Sequence, residues 1–352
     1  MSESTKDYLR NGFGSLVSNK AAIEAGKTFP WWVALIIFIV FSFIPVTPLM
    51  NNVLKTNGSD FIRTNSYSFD KEVAASFLEI KEDGGSLTID SDKYISYNKE
   101  TPVGTETLLS EYLVEKDDGS TTCGLRVYYI YSIDRDYINN KAQDYAALRF
   151  IKGTLTPKSA SDPEGTLYYA PNVMIIAPIG MSVQLYKFGT EESAGVYSGD
   201  WQAFEANTEL VNLAVLVNGT NPTLEEFLTN PSQAYLDGTL SNWKFIFDTG
   251  YATIKHNSLL ISTFLYWGIY AGLVLFLGLL VFLLTRGKKN FNNYLKWYQC
   301  LSISAWASTG PSVLALILGF IFSNFAMIFF IMFLGIRVMW LTMKQLSPTY
   351  QG

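Results

Sequence analysis

One histidine and two cysteines in 352 residues leave several chemistries without their raw material. A zinc site built from Cys and His has too few ligands to choose from. Cys123 lies in an acidic central region and Cys300 in an apolar run, so no disulfide between them is expected. With His256 as the single imidazole, a serine or cysteine nucleophile lacks the usual base, which leaves Ser-Lys or acid-based arrangements as the main hydrolytic options. Charge is scarce as well. Only 16% of residues are Asp, Glu, Lys or Arg, and no acid follows Asp248. A chain that is 49% apolar with mean hydropathy +0.16 is too apolar for two or three soluble domains and reads as a membrane protein.

Long uncharged runs locate the spans. Trp31 to Leu49 carries no charge and is just long enough, at about 1.5 Å per residue, to cross a core of roughly 30 Å. The polar stretch before it is long for a signal peptide and no small-x-small site follows, so it is expected to remain as an anchor. Ser258 to Thr285 is the second span. Trp297 to Met343, whose single charge is Arg337, is too long for one helix and is divided at Ser323-Asn324. The expected organisation is a cytoplasmic segment 1–30, a span 31–50, an extracytoplasmic domain 51–257, a span 258–285, a basic loop 286–296, spans 297–322 and 325–343, and a tail 344–352.

The charges segregate across these spans. Residues 51–257 hold 16 basic against 28 acidic groups, net −12, whereas the remainder holds 10 against 3, net +7. The positive-inside rule then puts both termini in the cytoplasm of a multi-pass plasma-membrane protein. Trp31, Trp32 and Trp297, with Arg286, Lys288 and Lys289, are expected at the membrane interface. Trp267 and Trp340 fit that belt or ordinary helix packing equally.

Residues 51–257 suffice for one domain with its own core. Alternating β-branched and aromatic runs predict strands at 86–89, 93–97, 125–133, 147–155 and 183–188, with turns between them at Gly84-Gly85, 117–119 and 162–165, and 173–179 reads as a buried strand. Residues 201–217 suit a helix stopped by Asn218-Gly219, although 213–217 also fits a strand. Thr223 to Glu226 is a capping-box pattern. The predicted fold class is therefore a four-span α-helical membrane protein with a mixed α/β, strand-rich domain, strands first, between the first two spans.

The domain offers no recognisable catalytic pattern. Gly287-Lys288 lacks the context of a phosphate-binding loop. Neighbouring acids such as Glu225-Glu226 do not face each other, and the acids around Gly84-Gly85 (Asp83, Asp90, Asp92) lack the spacing of a calcium loop. Fifteen tyrosines in the domain are mostly core packing, with sugar stacking as the functional alternative. The −12 charge of the domain argues against nucleic acid and against anionic lipid, and says nothing decisive about a protein partner. No catalytic residue, cofactor or metal is expected, and the chain reads as a non-enzyme.

Within the spans, Gly268 and Gly272 form a small-xxx-small pair for close helix approach, and Ser304, Ser308 and Gly319 extend the same logic to the third span. Gly310-Pro311 should kink that helix. Arg337 is expected to snorkel to the cytoplasmic face; a functional intramembrane role is the alternative. A coupled transporter normally keeps ionisable groups near the midplane, so secondary transport is disfavoured.

The basic segment with DYLRNGFGSL, one span, a domain holding Gly-Ser-Leu-Thr-Ile-Asp, and three further spans with RGKKN after the first resemble the maltodextrin-utilisation membrane protein family (YvdJ-like). Its helices are thought similar to the Yip-type membrane domain. The resemblance implies a bacterial plasma membrane and a neighbour relationship with sugar ABC importers, and no catalytic activity. The central domain is long for that family. The expected partners are the bilayer, a membrane protein such as an ABC importer, and a sugar or other small ligand. The expected role is an accessory to transport, with a pore or permease subunit as the alternative.

Overall fold

The computed structural model describes residues 10–65, 69–99, 105–115, 121–147, 149–151, 167–169, 172–186, 193–287, 290–322 and 325–346. In chain order the helices are α1 (Asn19–Thr28), α2 (Trp31–Phe43), α3 (Thr47–Lys55), α4 (Asp60–Asn65) and α5 (Phe69–Glu82). After them come β1 (Leu87–Ile89), β2 (Ile95–Tyr97), β3 (Glu106–Glu115), β4 (Thr121–Ile130), α6 (Arg135–Ala147), β5 (Arg149–Ile151), β6 (Leu167–Tyr169), β7 (Val173–Ala177), β8 (Gly180–Tyr186) and β9 (Ser193–Asp200). The chain continues through β10 (Thr208–Glu209), α7 (Leu210–Val215), α8 (Leu224–Thr229), α9 (Gln233–Thr285), α10 (Trp297–Ile321) and α11 (Ala326–Trp340).

Two compact units divide the chain. Unit 1 is Met1–Lys55 with Asn257–Gly352, and unit 2 is Thr56–His256. The 53-residue α9 contributes to both. Four helices are long and apolar enough to cross a membrane: Trp31–Lys55, Gln233–Thr285, Trp297–Ile321 and Met327–Gln345. The first continues past the expected end because Pro45 and Pro48 are accommodated by a tightened turn at Ile44–Val46 that leads straight into α3. Among the four, α10 is the central helix: 67% of its most apolar window is buried, against 22–33% in the others.

Unit 2 has a five-stranded sheet, order β3-β4-β7-β8-β9, in which only β4 and β7 run parallel. Separate small sheets are formed by β10-β1-β2 and by β5-β6. All five residues of β7 are buried because both faces of the large sheet are covered. Met174 and Ile176 join a core with α5, α7 and the Trp243 to Phe247 turn of α9. Val173, Ile175 and Ala177 face α6, through Ile138, Ala142 and Tyr145. Phe77 of α5 meets Trp243 edge-on, with ring centroids 4.8 Å apart.

The strands-first expectation is corrected: unit 2 opens on α4 and α5, and α6 interrupts the strands. A helix over 201–217 is likewise corrected to the six residues of α7. The Glu209 carboxylate sets its start, accepting from Val211 N (3.2 Å) and Asn212 N and also from Leu87 N (3.0 Å), so residues before it are held as strand and turn. Gly84, at φ +70°, ends α5 instead of turning a hairpin. The capping box of α8 forms, with Glu226 N donating to Thr223 Oγ1 (3.2 Å) and Thr223 N to Glu226 Oε2 (3.0 Å). The expected turns at 117–119 and 162–165 lie outside the described residues.

Candidate functional site

The densest group of polar contacts in unit 1, among the described residues, lies where residues 10–28 pack against α10. Small residues make this approach close. A Cβ on Gly26 would stand 2.7 Å from the backbone N of Ile303. Ala22 and Ala25 are fully buried with Trp306, whose ring lies 4.9 Å from that of Phe29. Residues 10–14 are helical, and the chain then turns into α1, which Ser18 caps by accepting from Ala21 N (3.3 Å).

That turn sits at the midpoint of the 25-residue α10, at Thr309. Ser15 is fully buried; its Oγ donates to Gly12 O (2.7 Å) and lies 3.2 Å from Thr309 Oγ1, which is also 3.1 Å from Ser15 O. The turn after residues 10–14 carries backbone carbonyls into this buried contact. Arg337 of α11 donates to them. Its Nε donates to Asn19 Oδ1 (2.9 Å), and its terminal nitrogens donate to the carbonyls of Ser15, Leu16 and Ser18. The planar, five-donor guanidinium suits this ring of acceptors. Gly310 leaves the room: a Cβ there would stand 2.1 Å from Leu16 O and 2.6 Å from the guanidinium. Arg337 therefore uses its donors within the chain, where snorkelling toward a water-facing end was expected.

Neighbouring helices are joined in the same way. Ser304 donates to Val274 O of α9 (2.7 Å), Trp267 Nε1 to Ser42 Oγ of α2 (2.9 Å), and Ser312 to Phe41 O. Trp267 is thus a packing residue, while Trp340 stays exposed beneath Lys344. Ser308 donates to Ala305 O (2.7 Å) within α10, and Gly319 is buried in the same helix. Helix α10 runs unbroken through Pro311, and Ser312 also donates to Ser308 O (2.8 Å).

Gly268 and Gly272 have nothing within 4 Å of an added Cβ. Beyond Asn257, the glycine of α9 with a close helix neighbour is Gly278, where an added Cβ would stand 3.0 Å from Leu301 Cα. Trp31, Trp32 and Trp297 are exposed at the first turns of α2 and α10. Arg286 donates to Asn293 O (3.0 Å) and Leu295 O; Lys288 and Lys289 lie outside the described residues. His256 is exposed on α9.

No family model matches this chain, and no curated protein or solved structure matches it.

Unit 2 buries charge in structural pairs. Arg126, fully buried in β4, lies 2.8 Å from Glu111 of β3, its cross-strand partner. Asn172 donates to Glu72 (3.0 Å), and Lys141 of α6 reaches Glu106 at 2.9 Å. Burial alone would lower the Lys141 pKa, but the hydrogen bond and charge of Glu106 outweigh it and raise it. Burial pushes Tyr129 up to about 12 and raises Tyr197, whose hydroxyl donates to Phe247 O at 2.7 Å. Among the described residues, no group of three or more His, Cys, Asp or Glu is placed to hold a metal ion. Asp90 accepts from Tyr94 N (2.9 Å) and so belongs to a turn. Tyr131, Ile133 and Tyr137 are exposed together where β4 leads into α6.

Proposed function

We propose that this chain is a non-enzymatic plasma-membrane protein whose four apolar helices hold unit 2 on the extracytoplasmic side, where it recognises a partner protein or ligand as an accessory to transport. The observation that carries this reading is how unit 1 spends its polar groups. Arg337, the one charge of the last two spans, bonds within the chain together with Ser15 and Asn19, whereas an ion or proton pathway needs an ionisable group turned toward it. The net charges of −12 and +7 support the orientation, with both termini cytoplasmic. The exposed Tyr131, Ile133 and Tyr137 supply an aromatic surface suited to a sugar or to an apolar protein patch. The resemblance to the maltodextrin-utilisation family favours a sugar importer as that partner.

The test has two arms. Cysteine placed at Asp92 should be labelled from outside intact cells and cysteine at Asn293 should not; the reverse pattern refutes the orientation. Crosslinking in native membranes should capture a transporter component in a manner lost with Tyr131→Ala/Tyr137→Ala. Solute flux in liposomes holding this chain alone would replace the accessory role with a permease.

A further inference from the structure

The mouth of unit 1 that carries the first turns of α2 and α10 opens into a groove of about 800 Å³, a volume typical of small-molecule sites. Its floor is apolar, formed by Ala34, Leu35, Phe38, Leu301 and Ala305. Trp31 and Trp297 both line the mouth, so α2 and α10 begin at the same end. Phe38 lies seven residues beyond Trp31, about 10 Å farther along the helix. In a bilayer the mouth is then at headgroup level and the floor at acyl-chain depth.

Positive charge gathers at the mouth. Lys27 lines it, and Lys296 lies over the ring of Tyr298, which also lines it. Helix α2 starts after Pro30 without a side-chain cap, and α10 starts beside it, so two helix N-termini add partial positive charge. Glu24, 3.9 Å from Lys27, cancels one of these charges, and Lys296 with the helix N-termini leaves the rim positive. A zwitterionic lipid would bring its own cation to this cationic rim, and free phosphate would leave the apolar floor to water. We propose that this groove binds one anionic phospholipid, its phosphate between Lys27 and Lys296 and an acyl chain along the floor. The proposal rests on the membrane placement given above.

The test uses the full chain in bilayers containing spin-labelled phosphatidylglycerol or phosphatidylcholine. Phosphatidylglycerol should be motionally restricted in preference, by roughly fivefold per engaged lysine. Lys27→Gln/Lys296→Gln should abolish the preference, Lys344→Gln should leave it intact, and inorganic phosphate should not compete. Leu35→Trp, at an exposed floor position, should remove one restricted lipid even if the lysine variant misfolds. Equal restriction of the two lipids by the parent chain overturns the proposal, as does a preference that survives both groove variants or falls equally with Lys344→Gln. Absence of any restricted lipid would instead count against membrane insertion itself.

Discussion

Arg337 Nε donates to Asn19 Oδ1 at 2.9 Å, joining residues 318 positions apart. Through this bond and its companions to Ser15, Leu16 and Ser18, the only charge between Trp297 and Met343 becomes a structural clasp on the amino-terminal turn. The clasp adds charged donors to these carbonyls, of which Ser15 O also accepts from Thr309 Oγ1 and Ser18 O from Ala22 N.

Arg337→Gln should loosen that turn. Charge-assisted hydrogen bonds contribute about 1.5–3 kcal/mol each at most, so a loss of at least that order is expected. Arg337→Lys should rescue poorly, because an ammonium cannot reach the same fork of acceptors. Thermal unfolding and proteolysis between residues 10 and 28 report the effect; wild-type protection in both variants would refute the clasp.

Glycine substitutions separate the two helix faces. Gly310→Ala pushes a methyl to within 2.1 Å of Leu16 O and should cost about 1–3 kcal/mol by overpacking. Gly268→Ala and Gly272→Ala enter open space and should leave the isolated chain's stability unchanged. The comparison is read from unfolding midpoints in a single detergent.

The Arg126–Glu111 pair predicts a non-additive cycle. Removing the carboxylate alone with Glu111→Ala should cost about 3–5 kcal/mol, because a buried guanidinium loses its counter-charge. Arg126→Met/Glu111→Leu should recover most of that loss. Additive losses in denaturant unfolding would show that the pair is not coupled.

Alkaline pH should destabilise unit 2. Tyr129 ionises near 10 when unfolded and about 12 when folded, and Tyr197 shifts in the same direction. Folding binds the neutral phenols more firmly, so their stabilisation is complete below about pH 10 and is lost as pH rises toward 12. Unfolding midpoints should stay level up to pH 10 and then fall, and Tyr129→Phe/Tyr197→Phe should shrink that fall.

What the sequence determined by itself is the part governed by composition over many residues. Uncharged runs mark helices that are long and apolar enough for a bilayer, and the continuous apolar stretch at Val173 to Ala177 announces a strand buried on both faces. The capping box at Thr223 and Glu226 is local too, because both partners lie within four residues. Helix α5 was legible, though the strands-first expectation passed over it, since Phe69, Val73, Phe77 and Leu78 recur at helical spacing. Strand β3 was not: Leu108, Leu109, Leu113 and Val114 follow no alternation, and its Glu111 finds its partner on β4.

The candidate site was legible only in fragments. Asn11 to Ser15 is visibly rich in small residues, yet nothing in that string says that it packs against Thr309 and Gly310. Arg337 stood out as the lone charge, and chain position pointed it toward water. Besides Asn19, its acceptors are backbone carbonyls over 300 residues away, which carry no sequence signature. Only the tertiary structure decided that Gly278, not Gly268 or Gly272, admits a neighbouring helix, because close approach depends on where helices cross and not on which glycines they contain.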